Sequence, residues 1–164
     1  MPYTIEPCFP VAERAAALGF HIPDGFAILP TNLEVVSNAE QFLYNSADAT
    51  VRTLFRLHQI PLVDLLPSGA SRRQLSHKSA DWVGPIIFIG SAVLSDNGIL
   101  LNLALGIVSN YLTDYFRGSG KTPTIKLEFI VEKTPNRDYR RLKFEGPPEA
   151  IPALSEALGA LRDE

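Results

Sequence analysis

Arg117-Gly118-Ser119-Gly120-Lys121-Thr122 ends like a phosphate-binding loop, in which backbone N–H groups and a lysine cradle phosphate oxygens. That motif, G-x-x-x-x-G-K-[ST], needs its first glycine at position 115, where Tyr115 stands. The context is also reversed. A phosphate loop joins a strand to a helix whose positive N-terminus meets the anion. Here a helical pattern comes first and a strand pattern second, so the loop meets the negative end of the helix dipole. The expected role is a glycine connection that ends a helix, without nucleotide affinity.

A second pattern lies just before it. Asn102, Gly106, Asn110 and Asp114 recur every four residues, which on a helix makes one slowly winding strip. Ser109, Thr113 and Arg117 border the strip, and leucine, isoleucine, valine and aromatic side chains fill the rest of the segment. Three readings are open for it. The strip faces water; or it hydrogen-bonds to a neighbouring element, with Gly106 permitting close approach; or it faces a pocket or partner, since Asn and Asp give directional recognition. Asn102, Gly106, Asn110, Asp114 and Arg117 are therefore the candidate interaction or pocket residues.

The remaining chemistry-bearing residues are scattered. His21, His58 and His77 have no i, i+3 or i+4 companion of ligand type, and a zinc site needs three or four converging ligands. Cys8 is the only cysteine, so no intramolecular disulfide forms, and no cation stands near it in sequence to activate it. Arg72, Arg73, His77 and Lys78 form a short basic stretch without interleaved aromatics, a poor match to nucleic-acid binding. No catalytic residue, cofactor or metal is expected from these patterns.

Composition sets the frame that must position such residues. The chain has 164 residues, 46% apolar and 20% charged, which excludes a disordered or collagen-like polymer and suits one globular domain over 1–164. Net charge is −3, giving no reason to expect nucleic acid. The start, Met1-Pro2-Tyr3-Thr4-Ile5-Glu6-Pro7, lacks the basic and apolar regions of a signal peptide, and with one cysteine a cytoplasmic setting is the default.

Val11 to Leu18 suits a short helix ended by Gly19, and Gly25 to Leu29 a short strand before Pro30. From Asn38 to Gln59 the pattern is helical with a break near Asn45-Ser46. Ser46 is placed to cap a helix over 47–58 whose stripe is Val51, Leu54, Phe55 and His58. Residues 67–80 have no apolar period and read as a flexible basic surface loop. Residues 81–94 and 98–117 are expected as two helices joined at Ser95-Asp96-Asn97-Gly98. Ile86 to Ile89 would suit a buried strand equally well, so helix or strand at 86–92 is left open.

Toward the C-terminus, Ile125, Leu127, Phe129 and Val131 alternate with Lys126, Glu128 and Glu132, with Ile130 alone breaking the polar side. Leu142 and Phe144 alternate with Arg141, Lys143 and Glu145, which reads as an antiparallel hairpin with one buried and one wet face. Ile151, Leu154, Leu158 and Leu161 then make the single stripe of a final helix.

The expected fold is α+β: a helical N-terminal and central part packed with a C-terminal antiparallel β-hairpin followed by a helix, in a small mixed or antiparallel sheet with helices on one face. The expected function is a non-enzymatic protein-interaction or adaptor module, a complex subunit or homo-oligomer whose partner is another protein or itself. It is motivated by the apolar girth of 98–117. The alternative is a small enzyme with a site assembled from Asp114, Arg117, His58 and His77. A lesser alternative is a membrane-active protein using 83–116, although Asp96 and Asn97 cut that run below the roughly 20 residues a span needs.

Overall fold

The computed structural model describes residues 3–65, 73–75, 81–94, 98–117, 124–133 and 138–162. Its centre is a six-stranded mixed sheet. In chain order the elements are β1 (Tyr3–Pro7), α1 (Val11–Ala17), β2 (Phe26–Leu29), β3 (Tyr44–Asn45), α2 (Asp48–Leu57), β4 (Leu62–Asp64), β5 (Gln74–Leu75), β6 (Trp82–Ile89), α3 (Ser91–Leu94), α4 (Ile99–Phe116), β7 (Ile125–Lys133), β8 (Asp138–Gly146) and α5 (Leu154–Arg162). The large sheet runs β1-β8-β7-β6-β2-β4, and β3 and β5 form a separate two-stranded ribbon.

This corrects the expected fold. Antiparallel pairing of β7 with β8 is present, but as two of six strands drawn from the whole chain rather than as a C-terminal hairpin beneath helices. β1, β3, β4 and β5 were not foreseen, and β6 covers a stretch expected as helix with a strand at 86–92 left open. The 81–94 segment is the clearest case. It is a strand over Trp82–Ile89 and a helix only over Ser91–Leu94. β6 lies between β7 and β2 and is covered on both faces, so Ile87, Phe88 and Ile89 are all buried and no alternation marks them as a strand. The 38–47 stretch is also not helical beyond a 3-10 turn at Ala39–Gln41. Ser46 does not cap α2: Ala47 holds the N-cap position with no side-chain cap bond, and the Ser46 backbone N–H donates to the Leu75 carbonyl (3.1 Å), continuing the β3–β5 ribbon.

Two parallel strand pairs explain where the long helices sit. β2 pairs parallel with β4, and β6 with β7. Parallel neighbours need a long crossover, which α2 and α4 supply. Alternation along the strands assigns Phe26, Ile87, Leu127, Phe129, Leu142 and Phe144 to one face. Phe26, Ile87, Leu127 and Phe129 meet Phe55 of α2 and Leu101, Ala104, Leu105 and Val108 of α4 there. Helix α5 packs on β7 and α4 through Leu154, Leu158 and Leu161, all buried.

α4 is therefore covered along one side. Leu101, Ala104, Leu105, Ile107, Val108, Ser109 and Leu112 are buried, and the Ser109 hydroxyl donates to the Pro148 carbonyl (2.9 Å). By length and composition alone α4 could cross a membrane, but in the fold one side of it packs on the sheet and on α2 and α5. Gly98, at the head of α4, takes φ +75°, the left-handed turn geometry that glycine accommodates.

The opposite face of the sheet is covered only in part. Helix α1 lies at one end of it, so the helices do not all occupy one face. The anchor is Tyr139, whose hydroxyl donates to buried Glu132 (3.1 Å) and accepts from the Ala12 N–H (3.3 Å) at the start of α1. Val11 and Ala15 of α1 are fully buried, and Phe20, Phe42 and Tyr44 form a tilted and edge-on aromatic chain beside them. The other end of this face is open.

Candidate functional site

The open end is a cavity of about 800 Å³, within the range of small-ligand sites. Its floor is the side of β7 and β8 that alternation marks as wet. Register places Thr4, Lys143, Glu128 and Ile86 in one row across β1, β8, β7 and β6, and Glu6, Arg141, Ile130 and Phe88 in the next. The two cations Arg141 and Lys143 are thus two residues apart on one strand, about 7 Å along it.

One wall is the segment that follows β2. Leu29, Pro30, Thr31, Leu33 and Glu34 line it. Its backbone is held by several hydrogen bonds. Thr31 donates its N–H (2.7 Å) and its hydroxyl (3.1 Å) to the Leu43 carbonyl, while Asn32 accepts from the Leu43 N–H (2.9 Å) and donates to the Gln41 carbonyl (2.8 Å). The Arg14 guanidinium, reaching over from α1, donates to the carbonyls of Leu33 (2.9 Å) and Val36. A wall fixed by so many bonds is preorganised rather than shaped by its occupant.

A bulge shapes the floor at the far side. β6 pairs with β7 at Val83↔Lys126 and resumes at Ile86↔Glu128, so Gly84 and Pro85 together oppose Leu127. A Cβ on Gly84 would stand 2.4 Å from a Leu127 methyl and 2.6 Å from the Trp82 ring, so any larger residue must push those side chains aside. The freed Gly84 carbonyl accepts from the buried Asn45 side chain (2.8 Å), which fastens the β3 ribbon to the rim. A proline is tolerated at this bulge because no ladder N–H is required there.

The electrostatics centre on Arg141 and Glu128. Arg141 is 19% exposed and Glu128 23%, with the guanidinium Nε 3.5 Å from a Glu128 oxygen. That contact is an ion pair without hydrogen-bond geometry, since the buried Nε has no hydrogen-bond partner among the described residues. Arg141 also lies 4.0 Å from Glu6 and 3.9 Å from the Cys8 sulfur, and its guanidinium carbon sits 5.7 Å from the centre of the Phe9 ring. Lys143 pairs with Glu6 at 3.3 Å, and Lys126 with Asp81 at 3.3 Å. A guanidinium has five donors. Here it is oriented by long contacts and leaves most of its hydrogen-bonding capacity unspent at a cavity wall.

Burial pushes the Glu128 carboxyl above its usual value, and the attraction of Arg141 and Lys143 only partly offsets this. Cys8 is likewise raised by burial, with Arg141 pulling the other way. A cation does stand beside Cys8, brought there by the β1–β8 pairing. Desolvation outweighs it, so the sulfur is a thiol rather than an activated thiolate.

The residues singled out in sequence lie elsewhere. Asn102, Asn110, Asp114 and Arg117 are exposed along the outer side of α4 and Gly106 is half-buried, which is the water-facing arrangement. Asp114 and Arg117 pair at 3.2 Å with side chains 70% and 75% exposed. Nothing lies within 4 Å of a Cβ placed on Gly106, so it permits no close approach. His58 follows the last turn of α2 and is exposed, not part of a buried stripe. No hydrogen bond or ion pair joins His58 to Asp114 or Arg117 among the described residues. His77, most of the 67–80 loop and the 118–121 glycine connection lie outside the described residues. Among the described residues no group of three or more His, Cys, Asp or Glu side chains is placed to hold a metal.

Sequence reasoning missed the cavity because it read the charges on β7 and β8 as solvated. One signal was present: Ile130, an apolar residue on the polar side, is buried and lines the cavity. No protein-family model, curated protein or solved structure matches this chain.

Proposed function

We propose that this chain is a small-molecule-binding domain whose ligand occupies the cavity between the open sheet face and the 30–34 wall. The observation that carries this reading is the floor itself: a mostly buried arginine, its terminal nitrogens held only by long contacts to Cys8 and Glu6, beside a mostly buried carboxyl, inside a preformed cavity of about 800 Å³. Structural ion pairs are usually bonded more closely. Perturbed ionisable groups gathered in a cavity are a common mark of a binding or active site.

The test is a thermal-shift screen of carboxylates, amines, amides, sugars and nucleosides against the native chain and an Ile86→Trp variant, whose indole would fill the floor. Saturation at about a hundred times Kd adds about 2.7 kcal/mol of stability. Compounds that raise the melting temperature of the native chain and not of the variant support the reading. Hits that stabilise both equally, or no hits in any class, overturn it.

The interaction-module reading draws on a different observation. Ile99, Leu103 and Tyr115 are 65%, 47% and 63% exposed on α4, and a partner or second copy would bury them. Seven of the 18 residues of α4 are buried on the side that packs on the sheet, α2 and α5, and three exposed apolar side chains on the other side are ordinary for a protein surface, so they support the module less than the cavity supports binding. Light scattering over a concentration series distinguishes the two. Association abolished by Leu103→Glu would favour the module, and a monomer at all concentrations would count against self-association.

A further inference from the structure

We propose that the ligand is an organic monocarboxylate, its carboxylate held by Arg141 and Lys143 and its apolar body lying against Phe9, Leu33 and Ile86. This deepens the binding reading above and rests on it. The geometry supplies both halves. Arg141 and Lys143 stand on one side of the floor, and apolar groups from the wall and from β6 line the same cavity. A guanidinium binds a planar carboxylate through two parallel hydrogen bonds, and among the described residues the terminal nitrogens of Arg141 make only the 3.9 Å contact to the Cys8 sulfur and the 4.0 Å approach to Glu6.

Charge decides for one anionic group rather than two. Arg141 and Lys143 face Glu6 from β1 and Glu128 from β7. Lys126 is matched by Asp81, while Glu34 on the wall and Glu145 on β8 add negative charge at the cavity lining, and β6 offers only Val83, Gly84 and Ile86. Together the three cations Lys126, Arg141 and Lys143 meet the five carboxylates Glu6, Asp81, Glu128, Glu34 and Glu145, so the region has no room for a doubly charged ligand, and protonation of Glu128 offsets the single charge that a carboxylate brings. A bound anion also cancels the two cations that favour the ionised form of Glu128, so binding draws a proton from solvent onto that carboxyl. A phosphate monoester would bring a second charge against Glu34, Glu128 and Glu145.

The experiment is calorimetric titration of the full chain with 3-phenylpropionate, its neutral amide, and phenyl phosphate, across a pH series. The carboxylate is expected to bind at least about tenfold more tightly than the amide, the effect of a charge-assisted hydrogen bond. Its affinity should fall by up to about tenfold per pH unit on the alkaline side, the signature of uptake of one proton. Glu128→Gln should abolish that slope while keeping binding. Lys143→Met, at a half-exposed position that tolerates the change, should remove most of the preference for acid over amide. Arg141→Lys, checked for native circular dichroism, should do the same through loss of the bidentate fork. Equal binding of acid and amide overturns the carboxylate assignment and leaves the binding reading standing, as does tighter binding of phenyl phosphate. A pH slope that survives in Glu128→Gln overturns the proton uptake. No binding by these probes, together with an empty thermal-shift screen, removes both.

Discussion

Replacing Arg141 by Met tests whether the charge pair on the cavity floor has the energetic role its geometry implies. The substitution keeps an unbranched apolar stem and removes the guanidinium. What is lost is the 3.5 Å pairing with Glu128, the 4.0 Å approach to Glu6 and the packing over Phe9. Exposed pairs are worth about 0.2–1 kcal/mol, whereas stranding a buried charge costs about 3–5 kcal/mol. With both side chains about four-fifths buried and the contact long, the expected cost is about 2 kcal/mol at neutral pH, or about 4–8 °C in Tm for a domain of this size.

The pH dependence has a definite sign. Burial holds the Glu128 pKa above its unfolded value, so the folded chain keeps a proton there after the unfolded chain has lost it. The stability supplied by the neutral carboxyl is full below the unfolded value, about 4.3, and is lost as pH rises through the folded value. Removing Arg141 raises the folded value further. The penalty of Arg141→Met should therefore be small near pH ~4 and grow towards pH ~8. Denaturant unfolding of the native chain, Arg141→Met, Glu128→Gln and the double variant measures it, with an expected coupling of about 1–2 kcal/mol at neutral pH. A penalty independent of pH, or additive with Glu128→Gln, would refute the reasoning.

Leu158→Ala empties a fully buried site between α5 and the sheet and should cost about 2–5 kcal/mol by the same unfolding assay. Gly84→Ala drives a methyl into the Leu127 and Trp82 side chains at the bulge, so a loss of about 1–3 kcal/mol is expected, with altered Trp82 fluorescence as the local readout. Asp114→Ala removes only an exposed i,i+3 pair on α4 and should change stability by less than about 0.5 kcal/mol.

Local patterns in the sequence carry α1, α2, α4 and α5, because each helix shows its own period and boundary within one short window. β7 and β8 are equally readable, since one side of each is apolar and the other charged. β6 is not, because a strand buried on both faces has no period to show, and Ile86-Ile87-Phe88-Ile89 fits either state. β1 and β4 are edge strands of five and three residues, held by neighbours 133–141 and 36 positions away, of which local sequence says nothing. The cavity is harder still. Glu6, Glu128 and Arg141 meet only through the β1–β8–β7 register, and a charged strand face over a cavity has the same pattern as one in water. The α4 strip was legible as a period, and that period marks the solvent side of a crossover helix.

The most direct test of the cavity as the binding site is an amide NMR titration of the full chain with 3-phenylpropionate, run beside its amide. The account predicts shift changes concentrated at 126–130 and 141–145 on the floor and 30–34 on the wall, larger for the acid, and lost in Ile86→Trp. Shift changes concentrated on 99–117 instead, with the floor and wall unmoved, would contradict it.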